Sequence, residues 1–385
     1  MSEKPLLQVS RRTLAAQALG RIDAATKAIV RPLHVTTTFE RDPDNGYSSG
    51  YSYGRSDNAT VRDAEDIICA LEGGTEACLL SSGMSAALAV FLSLQPGDRI
   101  IAPTVMYWAL RKWLALEATR WGLHVQLVDM CDRRALEQAL SQGQTRIVWI
   151  ETPANPLWHV VDIAAVAQLA HAHGATVVVD STAATPIFTR PLELGADIVM
   201  HSATKYLNGH TDVIAGALVV KQQSEMWTRI INIRSSHGMI FGPFEAHQLI
   251  RGMRTLDLRV RASAQSAMLI AETFSRHPRV HAVLYPGLAS HPQHAVAARQ
   301  MQGGFGGMLS IRCTGGAAAA IRTAANVKIW KRATSLGSVE SLIEHRASVE
   351  GPSSPCPDDL LRLSVGIEDP GDLIGDLDAA LASKD

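Results

Sequence analysis

Between about residues 61 and 220 the chain alternates short apolar runs with stretches of helical periodicity. The runs are "ACLL", "RIIAP", "VQLVD", "RIVWIE", "TVVVD", "DIVMHS" and "GALVV". Segments this short, rich in Val and Ile and bounded by turn residues, suit strands buried on both faces. Strands separated by helices pair in parallel, because a crossover is needed to return the chain to the same end of a sheet. The pattern predicts an α/β fold, with a mainly parallel sheet covered by helices on both sides.

Helix boundaries support this rhythm. Thr60 with Asp63 three residues on reads as a capping box opening "VRDAEDIICALE", which Gly73-Gly74 closes. Asp162 reads as the cap of "IAAVAQLAHAHG", ending at Gly174. Ahead of this core, residues 46–59, "GYSSGYSYGRSDNA", carry Gly, Ser and Tyr with almost no aliphatic side chains, the composition of a loop or arm. Beyond about residue 245 the pattern changes to one long helix, "AHQLIRGMRTLDLRVRASAQSAMLIAETFSRH", followed by strand-like runs "GMLSIRC" and "LLRLSVGIE" among helices. The expected organisation is an arm over residues 1–60, a large domain over 61–245 and a smaller C-terminal α/β domain over 246–385.

Charge and cysteine usage narrow the function classes. A net charge of -1 with no block of like charges leaves no electrostatic footprint for nucleic acid or an anionic membrane, which favours small-molecule chemistry. The opening segment "MSEKPLLQVSRRTLAAQALG" lacks the continuous apolar centre of a leader, and the longest apolar stretch, near Ala86 to Leu94, is too short to span a bilayer. A cytoplasmic location is expected. The 5 cysteines are odd in number, widely spaced and form no C-x-x-C, which predicts neither a disulfide framework nor a zinc site. The histidines, including "HAH" at 171–173 and "HPQH" at 291–294, lack convergent Cys, Asp or Glu partners, so no metal is expected. "GGFGGM" at 303–308 leads into a strand-like run rather than a helix and reads as a tight turn.

In an open α/β sheet, ligands collect beyond the carboxyl ends of the strands, so polar residues that close apolar runs are the candidates. "TVVVD" ends at Asp180, "RIVWIE" runs into Glu151-Thr152-Pro153-Ala154-Asn155, and "DIVMHS" runs into Ser202, Thr204 and Lys205. A fourth run, "ACLL", enters "SSGMSAALAVFLSL", where Ser82-Gly83-Met84 opens a helix whose free amides and positive dipole end suit a phosphate. Taken singly, each feature suits a helix cap or a turn as well, and Lys205 suits a surface turn. Together, a strand-end lysine, an acid, hydroxyls and a phosphate-binding helix start are the parts that pyridoxal 5'-phosphate (PLP) needs: it condenses with a lysine as a Schiff base and pairs its ring nitrogen with a carboxylate.

The segments "YSYGRSDNAT", "SSGMSAA", "ETPANP", "VVVDSTAATP", "HSATKYLNGHTDVIAG", "RGMRTL", "ATSLGSVESLIEH" and "LLRLSVGIED" resemble, in this order, the family of cystathionine γ-synthase, cystathionine lyases and methionine γ-lyase. The resemblance runs from about residue 30 to the end. It implies the PLP-dependent fold type I, similar to aspartate aminotransferase, with a large sheet domain and a smaller C-terminal α/β domain. It implies Lys205 as the Schiff-base lysine and proton shuttle, Asp180 as the partner of the pyridine nitrogen, and Tyr107 as the residue stacked on the cofactor ring. Ser82, Gly83, Met84, Ser202 and Thr204 match phosphate-cradling positions. Tyr53 and Arg55 match a pair reaching the phosphate of the neighbouring subunit, which implies a homo-oligomer with shared sites, a dimer and in turn a tetramer. Arg362 matches the clamp for the substrate α-carboxylate, with Asn155 and the backbone near Ser335 assisting. On residue pattern alone, Arg362 reads as a solvent-facing arginine on a half-buried strand.

Some positions depart from the family pattern. Ser181 stands where Asn is usual, Ala59 replaces a proline, Trp108-Ala109 replaces a Gly-containing pair, and Thr334 occupies a position where a glutamate can meet the distal ammonium of cystathionine. The resemblance implies a C–S lyase of trans-sulfuration, by β- or γ-elimination on cystathionine or a related thioether. The alternatives are γ-replacement on an O-acylhomoserine, an aminotransferase sharing fold and cofactor, and a scaffold protein that has lost the cofactor.

Overall fold

The computed structural model describes residues 9–351 and 354–383; the first eight residues, read above as part of a segment without a leader, lie outside the described residues, as do 352, 353, 384 and 385. Its strands are β1 (Glu76–Leu80), β2 (Arg99–Pro103), β3 (His124–Val128), β4 (Ile147–Glu151), β5 (Thr176–Asp180), β6 (Ile198–His201), β7 (Gly216–Val220), β8 (Val280–Leu284), β9 (Met308–Cys313), β10 (Lys331–Arg332), β11 (Leu342–His345) and β12 (Leu360–Ser364). Each apolar run singled out in the sequence is a strand. The chain forms two compact units, both discontinuous in sequence: Met1–Leu94 with Asp197–Asp257, and Gln95–Ala196 with Leu258–Asp385.

In the first unit the strands run in the order β1–β7–β6, with β7 antiparallel to both neighbours. The helix Ala59–Glu72 packs on them and ends at Gly73, whose φ of 73° is the left-handed cap that a glycine takes without a Cβ penalty. Its start differs from the expected capping box. Asn58 is the cap, its side chain accepting from the amides of Thr60 and Val61, while the Thr60 hydroxyl accepts from His34 N–H at 2.9 Å and Asp63 pairs with Arg31 at 2.5 Å. Thr60 and Asp63 are recruited by the preceding chain, which leaves capping to Asn58. The single long helix expected from residue 246 is instead two, Pro243–Met253 and Leu256–Phe274. Just before the break, Gly252 lies against the backbone of Asn208, where a Cβ would collide with the carbonyl, and Thr255 Oγ1 donates to Gly252 O at 3.2 Å.

In the second unit β5–β4–β2–β3 are parallel neighbours, with Glu151 in register with Asp180 at the carboxyl ends of β4 and β5. Asp162 caps the helix Ile163–Ala172 through Ala165 N–H, and Gly174, at φ 71°, follows its end, as the sequence predicts. The same unit holds the sheet β10–β11–β12–β9–β8, antiparallel except for β10 with β11. Alternation along β12 sends Leu361 and Leu363, with Val365 beyond, into an apolar core shared with Ile270, Phe274 and Tyr285. The other face is not solvated: Arg362 is 4% exposed and Ser364 0%. "GGFGGM" is a turn with positive φ at Gly303 and Gly306, leading into β9. Trp158 Nε1 donates to Ser310 Oγ at 2.8 Å, and that hydroxyl donates to Pro156 O at 2.8 Å, which ties the loop after β4 to β9.

Among the described residues no helix is long and apolar enough to cross a membrane, and no group of three or more His, Cys, Asp or Glu is placed to hold a metal ion.

Candidate active site

In the first unit, β6 delivers Ser202, Thr204 and Lys205 immediately beyond its carboxyl end. His201, the last strand residue, is buried with its Nε2 2.6 Å from Glu72 Oε1, which fixes the strand end against the helix Ala59–Glu72. Lys27, Lys112, Lys221, Lys328 and Lys331 are exposed, whereas Lys205 is half-buried. Ser202 O and Gly209 N–H bracket Lys205 through backbone bonds of 3.0 and 2.8 Å.

The helix Gly83–Leu92 opens beside this segment. Ser82 is its cap, accepting from Ser85 N–H at 3.0 Å. The first-turn amides of Gly83 and Met84 have no acceptor within the helix and stand at its positive end. A Cβ on Gly83 would lie 2.8 Å from Ser202 Cβ and 2.9 Å from Ser202 Oγ, and one on Gly216 would collide with the Ser82 carbonyl. The structure therefore brings Ser82, Gly83 and Ser202 together in a cradle that a side chain would fill, made of neutral donors at a helix start, which suits a phosphate. Thr204 turns elsewhere: its Oγ1 accepts from Ala215 N–H at 2.9 Å and donates to Ala215 O at 3.1 Å. In the arm, Arg55 lies over the Tyr53 ring at 5.5 Å and donates to Ser235 O at 3.0 Å. Tyr53 stays 46% exposed.

In the second unit Asp180 is buried at the end of β5 and accepts from Thr182 N–H at 3.0 Å. Tyr107 caps the helix Trp108–Leu116 and is 40% exposed, an aromatic face open to a ligand. Burial pushes its phenol up, against the pull of Arg346 and Arg362. Arg362 is buried on β12, its Nη1 donating to Asn155 Oδ1 at 3.3 Å and its Nη2 to Ser335 O at 2.7 Å. Ser335 takes φ 87°, a left-handed conformation costly for a residue with a Cβ, at the position whose carbonyl meets the arginine. The Arg362 Nε is buried without a hydrogen-bond partner among the described residues. Burial, then Arg346, bring this guanidinium down to about 10. The solvent-facing reading of Arg362 is therefore overturned: β9 and β11 flank β12, and Asn155, Ser335 and Glu344 meet the guanidinium on its buried face.

Residue patterns left several members of this site unassigned. Glu151 Oε2 accepts from Tyr107 N–H at 2.7 Å and its Oε1 from Asn155 N–H at 2.9 Å, so one carboxylate ties the tyrosine and the asparagine together. Burial first and Asp180 second push Glu151 up to about 8, partly offset by those two amides. Glu344 accepts from Arg362 Nη2 at 2.6 Å. The available signal for Glu151 was an acid closing a run otherwise made for the core; Glu344 precedes "HRASVE", where Arg346 and Glu350 stand four apart.

Taken unit by unit, the cradle of Ser82, Gly83 and Ser202 in the first suits the phosphate of PLP, and the buried carboxylate of Asp180 in the second suits its ring nitrogen. The sequence profile of the Cys/Met metabolism PLP-dependent enzymes matches residues 12–382. The chain is 43% identical over 375 residues to cystathionine gamma-synthase of Mycobacterium tuberculosis, covering 96% of each chain, and 40% identical over 374 residues to L-methionine gamma-lyase of Pseudomonas putida, covering 93% of each. A solved cystathionine gamma synthase from Xanthomonas oryzae pv. oryzae, in complex with aminoacrylate and cysteine, superposes with a TM-score of 0.93 at 37% identity, covering 98% of both chains. That likeness bears out the expected fold. The chain belongs to the Cys/Met metabolism PLP-dependent enzymes.

Proposed function

We propose that the protein breaks a carbon–sulfur bond of an L-amino acid, by β- or γ-elimination from cystathionine or a related thioether. The observation that carries substrate recognition is the buried Arg362 with an unmatched Nε, set among Asn155 Oδ1 and Ser335 O: a guanidinium so placed suits a bidentate α-carboxylate. When bound, PLP supplies an aldehyde for an amine and a ring that withdraws electrons from the substrate's α-carbon.

In this reading Lys205 anchors the cofactor, then takes and returns the substrate's α-proton with its amine. Asp180 holds the proton on the ring nitrogen, and Tyr107 lies against the ring. Ser82, Gly83, Met84, Ser202 and Thr204 hold the phosphate, which for Thr204 requires its proton to turn away from Ala215 O. Tyr53 and Arg55 serve the phosphate of a neighbouring subunit. An exposed tyrosine and arginine stacked on each other, on a segment with no aliphatic core, support that role and the homo-oligomer it requires. Free thiols at all 5 cysteines suit the reducing cytoplasm.

A second reading is γ-replacement, in which a thiol adds where an acyl-bearing oxygen leaves. The relatives at 43% identity, named cystathionine gamma-synthase, favour it. Incubating the holoenzyme with L-cystathionine, L-methionine, L-cysteine, or an O-acylhomoserine plus cysteine, and identifying the products, separates the two. A keto acid and ammonia support elimination; cystathionine formed with no keto acid supports replacement; a keto acid released without ammonia, with the cofactor left in its amine form, overturns both.

A further inference from the structure

Behind Arg362 lies a second buried guanidinium. Arg346 is 1% exposed, just past β11, and its Nη1 donates to Glu344 Oε2 at 2.7 Å, the same oxygen that takes Arg362 Nη2 at 2.6 Å. The Nε and Nη2 of Arg346 both reach Glu350 Oε1, at 3.0 and 2.7 Å, and the Ser354 hydroxyl donates to the other oxygen of Glu350. The result is a chain of alternating charge, Glu350–Arg346–Glu344–Arg362. Side-chain exposures along it are 3%, 2%, 9% and 4%.

Such a network is a poor way to gain stability, since apolar residues of similar volume often serve as well or better once desolvation is counted. Its geometry points to a different role. With Arg362 as its only partner, Glu344 would form a closed ion pair and compete with any incoming carboxylate for the same guanidinium. With Arg346 on the same oxygen, the charge of Glu344 is shared, and Arg362 retains positive charge for a ligand. Glu350 in turn fixes Arg346 through two donors to one oxygen, which sets where its third faces. Arg346 also adds positive potential at the site, which pushes both Arg362 and the Tyr107 phenol downward and suits an incoming anion.

We propose that Arg346 and Glu350 are positioning residues that hold Glu344 back from full pairing with Arg362 and so set the affinity of the site for the substrate's α-carboxylate. This rests on the reading of Arg362 as the carboxylate clamp. The test measures KM and kcat of the holoenzyme, together with equilibrium binding of glycine by calorimetry, for Arg346→Gln, Glu350→Gln, Arg346→Lys and the double variant Arg346→Gln/Glu344→Gln. Arg346→Gln raises KM and weakens glycine about tenfold, the weight of one hydrogen bond to a charged group, with kcat within about twofold. Glu350→Gln moves both in the same direction by less, and Arg346→Lys recovers part of the loss. In the Glu344→Gln background the loss of Arg346 has no further effect, which a merely structural role would not produce.

Unchanged KM and glycine affinity in Arg346→Gln overturn the inference. So does an equal loss with and without Glu344. Should Arg346→Gln fail to fold, unchanged KM in both Arg346→Lys and Glu350→Gln overturns it as well. Arg362→Gln separates the two levels: if it binds glycine as well as wild type, the clamp reading itself falls, whereas weak binding there with normal binding in the Arg346 and Glu350 variants removes only the positioning role.

Discussion

Glu151 and Asp180 stand in register at the carboxyl ends of neighbouring parallel strands, both buried. Two buried carboxylates facing each other in this way oppose each other's ionisation, and burial first, then Asp180, push Glu151 up to about 8. Its folded value lies above the ordinary 4.5, so the folded chain holds a proton that the unfolded chain releases. The stability Glu151 contributes is therefore present below the ordinary value and is lost as pH rises toward 8. Glu151→Gln does not titrate, though its NH2 cannot accept one of the two amide N–H bonds that the carboxylate takes, a loss that does not vary with pH. The melting temperature of Glu151→Gln minus that of wild type should grow between pH 5 and pH 8; a difference that stays flat would show Glu151 to be ionised throughout.

Lys205 should carry the cofactor, being the half-buried lysine where the other described lysines are exposed. Borohydride reduction of the holoenzyme followed by peptide mapping is expected to leave a pyridoxyl group on Lys205. A label on any other lysine refutes the assignment.

Gly83→Ala places a methyl 2.8 Å from Ser202 Cβ, in the cradle proposed for the phosphate. Overpacking of this kind costs about 1–3 kcal/mol, and here it should appear as weaker cofactor binding. Titrating the apoprotein with PLP by absorbance measures it. Affinity equal to wild type would mean that the phosphate sits elsewhere.

The arm should serve a neighbouring subunit. Chains carrying Arg55→Ala and chains carrying Lys205→Ala, each inactive alone, should regain activity when reassembled as mixed oligomers, because one site then has both residues intact. Verified mixed oligomers that remain inactive would assign Tyr53 and Arg55 to their own chain.

Thr334 is exposed and precedes Ser335, whose carbonyl meets Arg362. A glutamate there would offer a charge to a distal ammonium, so Thr334→Glu should lower the KM for cystathionine several-fold and leave that for an uncharged thioether unchanged, the mark of added ground-state binding. Equal effects on both substrates would argue that another group meets the distal end.

Much of this was legible in the chain. The apolar runs became strands because burial on both faces demands little more than continuous apolar character, and the strand ends displayed Asp180, Ser202 and Lys205 because short polar segments must follow buried strands. The helix at Asp162 was legible for the same reason: its cap and its closing glycine are local. Other features depended on partners far along the chain. Asn58 caps its helix because Thr60 and Asp63 are taken by His34 and Arg31. The long helix breaks after residues 252–253, beside the backbone of Asn208. Arg362 alternates with leucines as a solvent-facing residue would, and it is Asn155, Ser335 and Glu344, distant in sequence, that meet it as a buried cation. Glu151 is pushed up by its burial and then by Asp180, and takes its two hydrogen bonds from Tyr107 and Asn155. Periodicity determines which side of an element is covered, since hydrophobic burial is non-directional and is written residue by residue. Hydrogen-bond partners and ionisation are set by distances of a few ångströms between groups that the chain keeps far apart in sequence, and these were decided by the tertiary structure.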